Sequence, residues 1–229
     1  MIQNLIDQSI KEANDKRNTD HVPSGKFKPS SFGFCFRRQW WEFKGEEKSN
    51  LPDARVLRIF KVGNIFEEWV VNEISKTAWT FQKQVLIEDE DFKGYADYVD
   101  SDSVTDFKTQ HSRKFWHVKK EQEEKSIIDI LSYNFLQAGF YALKLGKPFV
   151  RICLISKDDL CIDEFKVSVD KIKQRVAEEI HALVEIKLRE TLPPPAPRLF
   201  GLDKQGNPKE CGYCPYKDKC FELQKGKKE

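Results

Sequence analysis

The sequence predicts an α/β fold, a central mixed β-sheet flanked by helices. Three observations predict it. Helix-like and strand-like apolar patterns follow one another in the order helix, β-meander, helix, β-hairpin, helix. The 229 residues are 39% hydrophobic and 12% aromatic, enough apolar material to fill a core and to exclude a disordered chain. The strand-like segments are short, and two of them join through the tight polar turn Asp100-Ser101-Asp102-Ser103.

Each element has a local reason. Ile2, Leu5, Ile6 and Ile10 recur at helical spacing and predict a first helix over residues 1–16. Residues 17–29 are polar and contain Pro23, Gly25 and Pro29, which predicts a loop. Ser30 and Ser31 are placed to cap a short helix carrying Cys35 and the aromatic run from Phe32 to Phe43. A helix over about 53–76 would bury Val62, Ile65, Phe66, Trp69, Val70 and Ile74. Strands are expected at 82–87, 92–99 and 104–109. The stretch 110–125 is basic and aromatic and is expected to be a loop. A helix over 127–145 would stop at Gly146. A second hairpin over 149–156 and 160–169 precedes a long helix over about 170–190. Thr191-Leu-Pro-Pro-Pro-Ala-Pro197 cannot continue that helix and forms a stiff connector. The expected organisation is an N-terminal helix and loop (1–29), a core (30–192) and a C-terminal segment (193–229).

Bulk charge narrows the function. Charged residues make up 33% of the chain, yet the net charge is only +2. That balance excludes histone-like binding to nucleic acid but leaves room for a local basic groove beside an acidic site. No apolar run approaches the ~18 residues of a membrane span, so no membrane partner is expected. The N-terminus lacks the basic and apolar regions of a signal peptide, which predicts a cytoplasmic protein. In that compartment six cysteines read as metal ligands or buried thiols rather than disulfides.

Two constellations carry chemistry. The first lies in the strands: Gly94-Tyr-Ala-Asp97, and Asp106-Phe-Lys108 nine residues after that aspartate. Residues two apart in a strand share a face, so Asp106 and Lys108 stand side by side. Asp97 comes within cross-strand reach in the right register. Paired carboxylates suit Mg²⁺ or Mn²⁺, which polarises a phosphodiester and activates water. A neighbouring lysine orients that water or stabilises developing charge. Alternating Asp and Lys also occur on solvent-facing hairpins. The second constellation is Cys35 near the start with Cys211, Cys214 and Cys220 near the end. Four thiolates accept either zinc or an iron–sulfur cluster, and spacing does not separate the two. Cys153 and Cys161 lie in apolar strand patterns and read as small buried residues. His21, His111, His117 and His181 are scattered, with no pair at ligand spacing.

Five segments together resemble the PD-(D/E)XK nucleases, in particular the RecB-like branch with an iron–sulfur cluster, and are similar to the CRISPR-associated exonucleases of that branch. Gly63-Asn-Ile-Phe-Glu67 resembles the first motif and Gly94-Tyr-Ala-Asp97 the second. Asp106-Phe-Lys108-Thr109 resembles the third, and Gln137-Ala-Gly-Phe-Tyr141 the Gln-x-x-x-Tyr motif. Cys35 with the Cys-x-x-Cys-x₅-Cys tail resembles the cluster-binding set. Many relatives carry histidine where this chain has Glu67, followed by Glu68. Adjacent helical residues point about 100° apart, so only one of them can reach a shared metal, and position favours Glu67.

The resemblance implies a restriction-endonuclease-like core and a metal-dependent deoxyribonuclease. It implies exonuclease action on single-stranded DNA or DNA ends, 5′→3′, with endonuclease activity alongside. Glu67, Asp97, Asp106 and the Phe107 carbonyl would hold Mg²⁺ or Mn²⁺. Lys108 would position water or neutralise charge. Gln137 and Tyr141 would line the site and place DNA. Cys35, Cys211, Cys214 and Cys220 would hold a [4Fe–4S] cluster, with zinc as the alternative. Protein partners would belong to CRISPR adaptation or phage recombination. Thr109 would support Lys108 or meet a phosphate. The stretch with Arg113, Lys114, Phe115, Trp116, Lys119 and Lys120 suits single-stranded nucleic acid or a plain solvated loop. Arg37, Arg38, Trp40 and Trp41 invite the same two readings. The competing function is a metal-stapled module that binds DNA or protein without cutting.

Overall fold

The computed structural model describes residues 1–19 and 24–225; His21 and Pro23 of the expected loop lie outside them. The helices are α1 (Ile2–Thr19), α2 (Phe36–Lys44), α3 (Ala54–Ile74), α4 (Ser112–Glu121), α5 (Ile127–Ile130), α6 (Ser132–Lys144), α7 (Lys173–Lys187), α8 (Lys209–Gly212) and α9 (Lys217–Lys225). The strands are β1 (Gln82–Glu88), β2 (Lys93–Val99), β3 (Ser103–Gln110), β4 (Phe149–Ser156) and β5 (Ile162–Ser168). The chain divides into two compact units. One gathers residues 1–26, 34–64 and 185–229; the other gathers 27–33 and 65–184. Residues 34–64 thus group with the chain's two ends rather than with the sheet.

The second unit holds a five-stranded mixed sheet in the order β1-β2-β3-β4-β5. β3 and β4 run parallel; every other pair is antiparallel. A parallel pair needs a crossover, and α4, α5 and α6 supply it. β4 is buried almost end to end, as expected of a strand covered on both faces. Val70 and Val71 of α3 pack with Tyr98, Phe107, Cys153 and Ile155, joined by Phe66, Ile74 and Phe81. A separate aromatic knot joins Phe32, Phe92 and Phe140, with ring centroids 5.2–5.7 Å apart. Each such pair adds about 0.5–1.5 kcal/mol beyond area burial.

Sequence patterns misjudge five places here. Of the residues expected to be buried by α3, Val62, Ile65 and Trp69 are exposed, and the inner face is formed by Phe66, Val70, Val71 and Ile74 instead. The expected loop 110–125 contains α4, because Phe115 and Val118, three positions apart, are both buried and His111 caps the helix by accepting the Arg113 N–H. The expected helix 127–145 is broken at Leu131, whose backbone (φ −110°, ψ 33°) leaves the helical region. The helix expected from 170 begins at Lys173, after a single 3₁₀ turn, Val169–Lys171. Cys161 is half-exposed rather than buried, since it precedes β5 instead of lying in it.

Gly139 of α6 is a packing requirement. A Cβ there would stand 2.7 Å from Ile172 Cδ1 and 2.9 Å from Val176 Cγ2. Both neighbours are buried and have little room to yield. Overpacking costs about 1–3 kcal/mol, more than the ~1 kcal/mol of helix propensity that alanine adds. Gly139→Ala is therefore expected to lower the unfolding temperature by a few degrees, measured by circular dichroism. A rise would show that α6 and residues 172–176 can separate freely.

In the first unit Trp41 packs on Tyr216 with ring centroids 5.2 Å apart. Asn50 and Asp218 exchange hydrogen bonds, Asn50 Nδ2 to Asp218 Oδ2 at 2.8 Å and Asp218 N to Asn50 Oδ1 at 2.9 Å. Arg58 pairs with Asp7 and ties α1 to the start of α3.

Candidate active site and candidate metal centre

β2 and β3 pair for only a short distance, Val99 with Val104 and Tyr98 with Thr105. One step further the ladder would set Asp97 against Asp106, and there the strands part. Asp106 is 3% exposed. Its Oδ1 accepts from Lys108 Nζ at 2.8 Å. Its Oδ2 is buried with no hydrogen-bond donor among the described residues. Asp97 is pushed up to about 8, first by burial and then by the Asp106 charge, and it shares a hydrogen bond with Asp106 when protonated. Burial also raises Glu67, which feels Lys108 and Asp106 and accepts from Gln84 Nε2 at 3.3 Å. Burial works against a charged Lys108, but Asp106 and Asp97 outweigh it and hold its ammonium above the usual range. Glu67, Asp97, Asp106 and Lys108 therefore converge electrostatically. Glu68 is exposed.

Tyr141 lies against β2. Its hydroxyl accepts the Tyr95 N–H, and burial followed by the Asp97 and Asp106 charges pushes it up. Gly94 makes this possible: a Cβ would collide with the Tyr141 hydroxyl and stand 3.0 Å from Pro29 Cδ. The second motif and the Gln-x-x-x-Tyr motif thus meet in one backbone contact. Gln137, one turn before Tyr141, is buried. The Phe107 side chain points into the core cluster, and Thr109 is half-buried.

Among the described residues no group of three or more His, Cys, Asp or Glu side chains is placed to hold a metal ion. The donor chemistry nonetheless fits a divalent cation. Two hard carboxylates lie close to each other: Asp106 has a buried oxygen without a hydrogen-bond donor, and Asp97 is raised by burial and by the Asp106 charge.

Asp97 makes the metal-free protein pH-sensitive. Between its ordinary value of 3.8 and about 8, the folded chain holds a proton that the unfolded chain releases. This contribution to stability is complete below the ordinary value and is lost as pH rises through about 8. Metal-free protein is expected to unfold at falling temperature across that window, and Asp97→Asn to flatten the profile. An equal slope in the variant would refute the assignment.

The four thiols of the first unit influence one another electrostatically, although among the described residues no three of them are placed to hold a metal ion. Burial raises Cys211, followed by the Cys35 and Cys220 charges; burial pushes Cys214 up to about 11, with Cys35 and Cys211 adding to it. All are free thiols. Cys35 is not on a helix but at the N-cap of α2, and its side chain does not cap. Its sulfur accepts the Ala196 N–H at 3.3 Å. Cys220 Sγ accepts from Arg37 Nη1 at 3.4 Å and from Gln224 Nε2 at 3.7 Å. N–H groups directed at sulfur, around a set of four thiols, fit a thiolate-bound metal or cluster. The buried Glu210 holds the arrangement: its Oε1 accepts Cys35 N–H at 2.6 Å, and its Oε2 accepts Arg198 N–H at 2.6 Å and Leu199 N–H at 2.9 Å.

Several expected nucleic-acid contacts are otherwise engaged. Phe115 is core; Trp116, 51% exposed, donates its ring N–H to Asp159. Lys119 pairs with Asp163 and His117 with Glu121, while His111 is used as the cap of α4. Arg113, Lys114 and Lys120 are exposed. Arg37 is buried, Arg38 pairs with Glu42, and Trp41 is core. Sequence reasoning missed Gln84 and Glu210. Gln84 has a left-handed backbone (φ 52°) inside β1, and no residue pattern announces that turn.

No family model and no curated protein sequence matches the chain. Among solved structures, the crystal structure of SSO0001 matches with a TM-score of 0.57 and 18% identity, over 94% of this chain and 96% of that one. LHK-Exo, an alkaline exonuclease from Laribacter hongkongensis, matches with a TM-score of 0.47 and 13% identity, over 72% of this chain and 91% of that one. Its complex with dAMP matches at 0.44 and 14%, over 71% and 90%. No helix among the described residues is long and apolar enough to cross a membrane. The chain shares the fold of SSO0001, an α/β architecture with a five-stranded mixed sheet flanked by helices.

Proposed function

We propose that this protein is a metal-dependent nuclease of the RecB-like PD-(D/E)XK type, hydrolysing phosphodiester bonds in DNA. It acts as an exonuclease on single strands or strand ends, 5′→3′, with endonuclease activity alongside. One observation carries the reading: Glu67, Asp97, Asp106 and Lys108 converge where β2 and β3 part.

Glu67, Asp97, Asp106 and the Phe107 carbonyl are the residues to hold Mg²⁺ or Mn²⁺. Such a cation, when bound, polarises the phosphodiester and lowers the pKa of the attacking water. In the metal-free protein Asp106 and Asp97 outweigh burial and hold Lys108 as an ammonium. In that form it orients water and offsets charge on the phosphate. Burial, followed by the Asp97 and Asp106 charges, keeps Tyr141 a phenol in the metal-free protein, where it serves by hydrogen bonding and by bracing β2. Gln137 completes the wall against which DNA is placed. Cys35, Cys211, Cys214 and Cys220 hold a [4Fe–4S] cluster, with zinc as the alternative, and the setting is cytoplasmic, with CRISPR adaptation, phage replication or recombination, and DNA repair all compatible with the same site.

The test is anaerobically purified protein with Mn²⁺ or Mg²⁺ and DNA labelled separately at either end. Metal-dependent shortening from the 5′ end of single strands is expected. Binding without cleavage under both metals would replace this reading with the non-cutting module.

A further inference from the structure

Arg37 is a buried cation that lacks a carboxylate. It is 6% exposed, and its guanidinium donates to the Pro193 carbonyl at 2.7 Å and to Cys220 Sγ at 3.4 Å. Trp41 lies 5.9 Å from it. No Asp or Glu among the described residues is paired with it, whereas its neighbour Arg38 has Glu42. A buried, unpaired charge is expensive and persists only where something compensates it. A neutral thiol is a poor partner for a guanidinium; a thiolate is a good one.

We propose that Arg37 is the counter-charge of the thiol centre. Four thiolates around a zinc ion or a [4Fe–4S]²⁺ core leave a net charge of two negative units. Arg37 offsets one of them at the sulfur of Cys220 while its other bond fixes the main chain at Pro193. Arg38 and Lys217 are the further cations felt by this centre, at Cys214 and Cys211, and Glu210 opposes them at Cys211. None of those three donates to a sulfur; Arg37 does. It is a positioning residue that acts through Cys220, and the proposal rests on the reading that these cysteines bind a metal or cluster.

The experiment compares wild type, Arg37→Gln and Arg37→Lys, each loaded anaerobically with iron and sulfide or with zinc. Release of metal to an excess of chelator is followed by absorbance, and unfolding of the metal-free proteins is measured in parallel. Partners that act through a metal ligand change affinity by about 10–100-fold when removed. Arg37→Gln is expected to release metal at least about tenfold faster than wild type, while Arg37→Lys, which keeps the charge, stays within a few-fold. Metal-free Arg37→Gln is expected to unfold no earlier than metal-free wild type, because it no longer buries an unpaired cation. Wild-type retention in Arg37→Gln overturns the proposal, as does an equal loss of stability with and without metal. If Arg37→Gln does not fold, Arg37→Lys decides: near-wild-type retention supports a role for charge, and a tenfold loss overturns it. Wild type that takes up neither iron nor zinc overturns the metal assignment itself.

Discussion

Lys108→Ala is expected to slow DNA cleavage by about a hundred- to a thousandfold at saturating metal, the scale of losing one preorganised charge at a developing oxyanion. Asp106→Asn is expected to do at least as much, by a different route. Lys108 binds Asp106 Oδ1 and retains its proton. Its removal leaves the carboxylates in place, so the Mn²⁺ concentration giving half-maximal rate shifts only a few-fold. Asp106 offers a buried oxygen, Oδ2, that has no hydrogen-bond donor among the described residues. Its conversion to an amide removes a ligand charge as well as the lysine's partner, so rate and metal response fall together. Single-turnover cleavage across a Mn²⁺ titration separates the two. Wild-type rates in Lys108→Ala would remove this lysine from the chemistry and with it the nuclease reading.

Much of this site is legible in the sequence because strand periodicity is rigid. The nine-residue interval from Asp97 to Asp106 spans one tight turn, and one further step of the Tyr98–Thr105 register would set the two carboxylates opposite each other. Gly94 is legible as a motif residue, but its physical reason is not. The Tyr141 hydroxyl that needs the empty space comes from α6, across a crossover of three helices. Gln84 was illegible for another reason. A left-handed residue inside a strand is imposed by its surroundings rather than by its own preference.

The helix α4 shows where composition misleads. A run of cations and aromatics looks like an exposed binding loop when read as a list. Read at helical spacing, Phe115 and Val118 form an inner face, and Lys119 and Trp116 find acids beside β5. The same holds around Cys35, where Arg37 and Trp41 turned inward. Buried polar partners such as Glu210 depend on backbone N–H groups far away in sequence, and side-chain patterns carry no signal for those.

Cys35→Ala is expected to abolish stoichiometric metal in the thiol centre and to lower the unfolding temperature of the loaded protein by roughly 10 °C or more. Cys35 lies far from the other three ligands in sequence, so a metal shared by all four closes the longest loop in the chain. The backbone is already arranged for it: Glu210, next to Cys211, accepts the Cys35 N–H, and Ala196 N–H points at the Cys35 sulfur. In the metal-free protein burial and neighbouring thiol charge raise Cys211 and Cys214, so metal must displace their protons and its affinity falls at low pH. Cys153→Ala is the control, because that thiol is buried in the sheet core and should leave metal content unchanged. Iron, sulfide and zinc assays on the two variants, with calorimetry of each, make the comparison. Full metal content and wild-type stability in Cys35→Ala would reduce the centre to the three C-terminal thiols, and residues 34–64 would then need another reason to fold with the end of the chain.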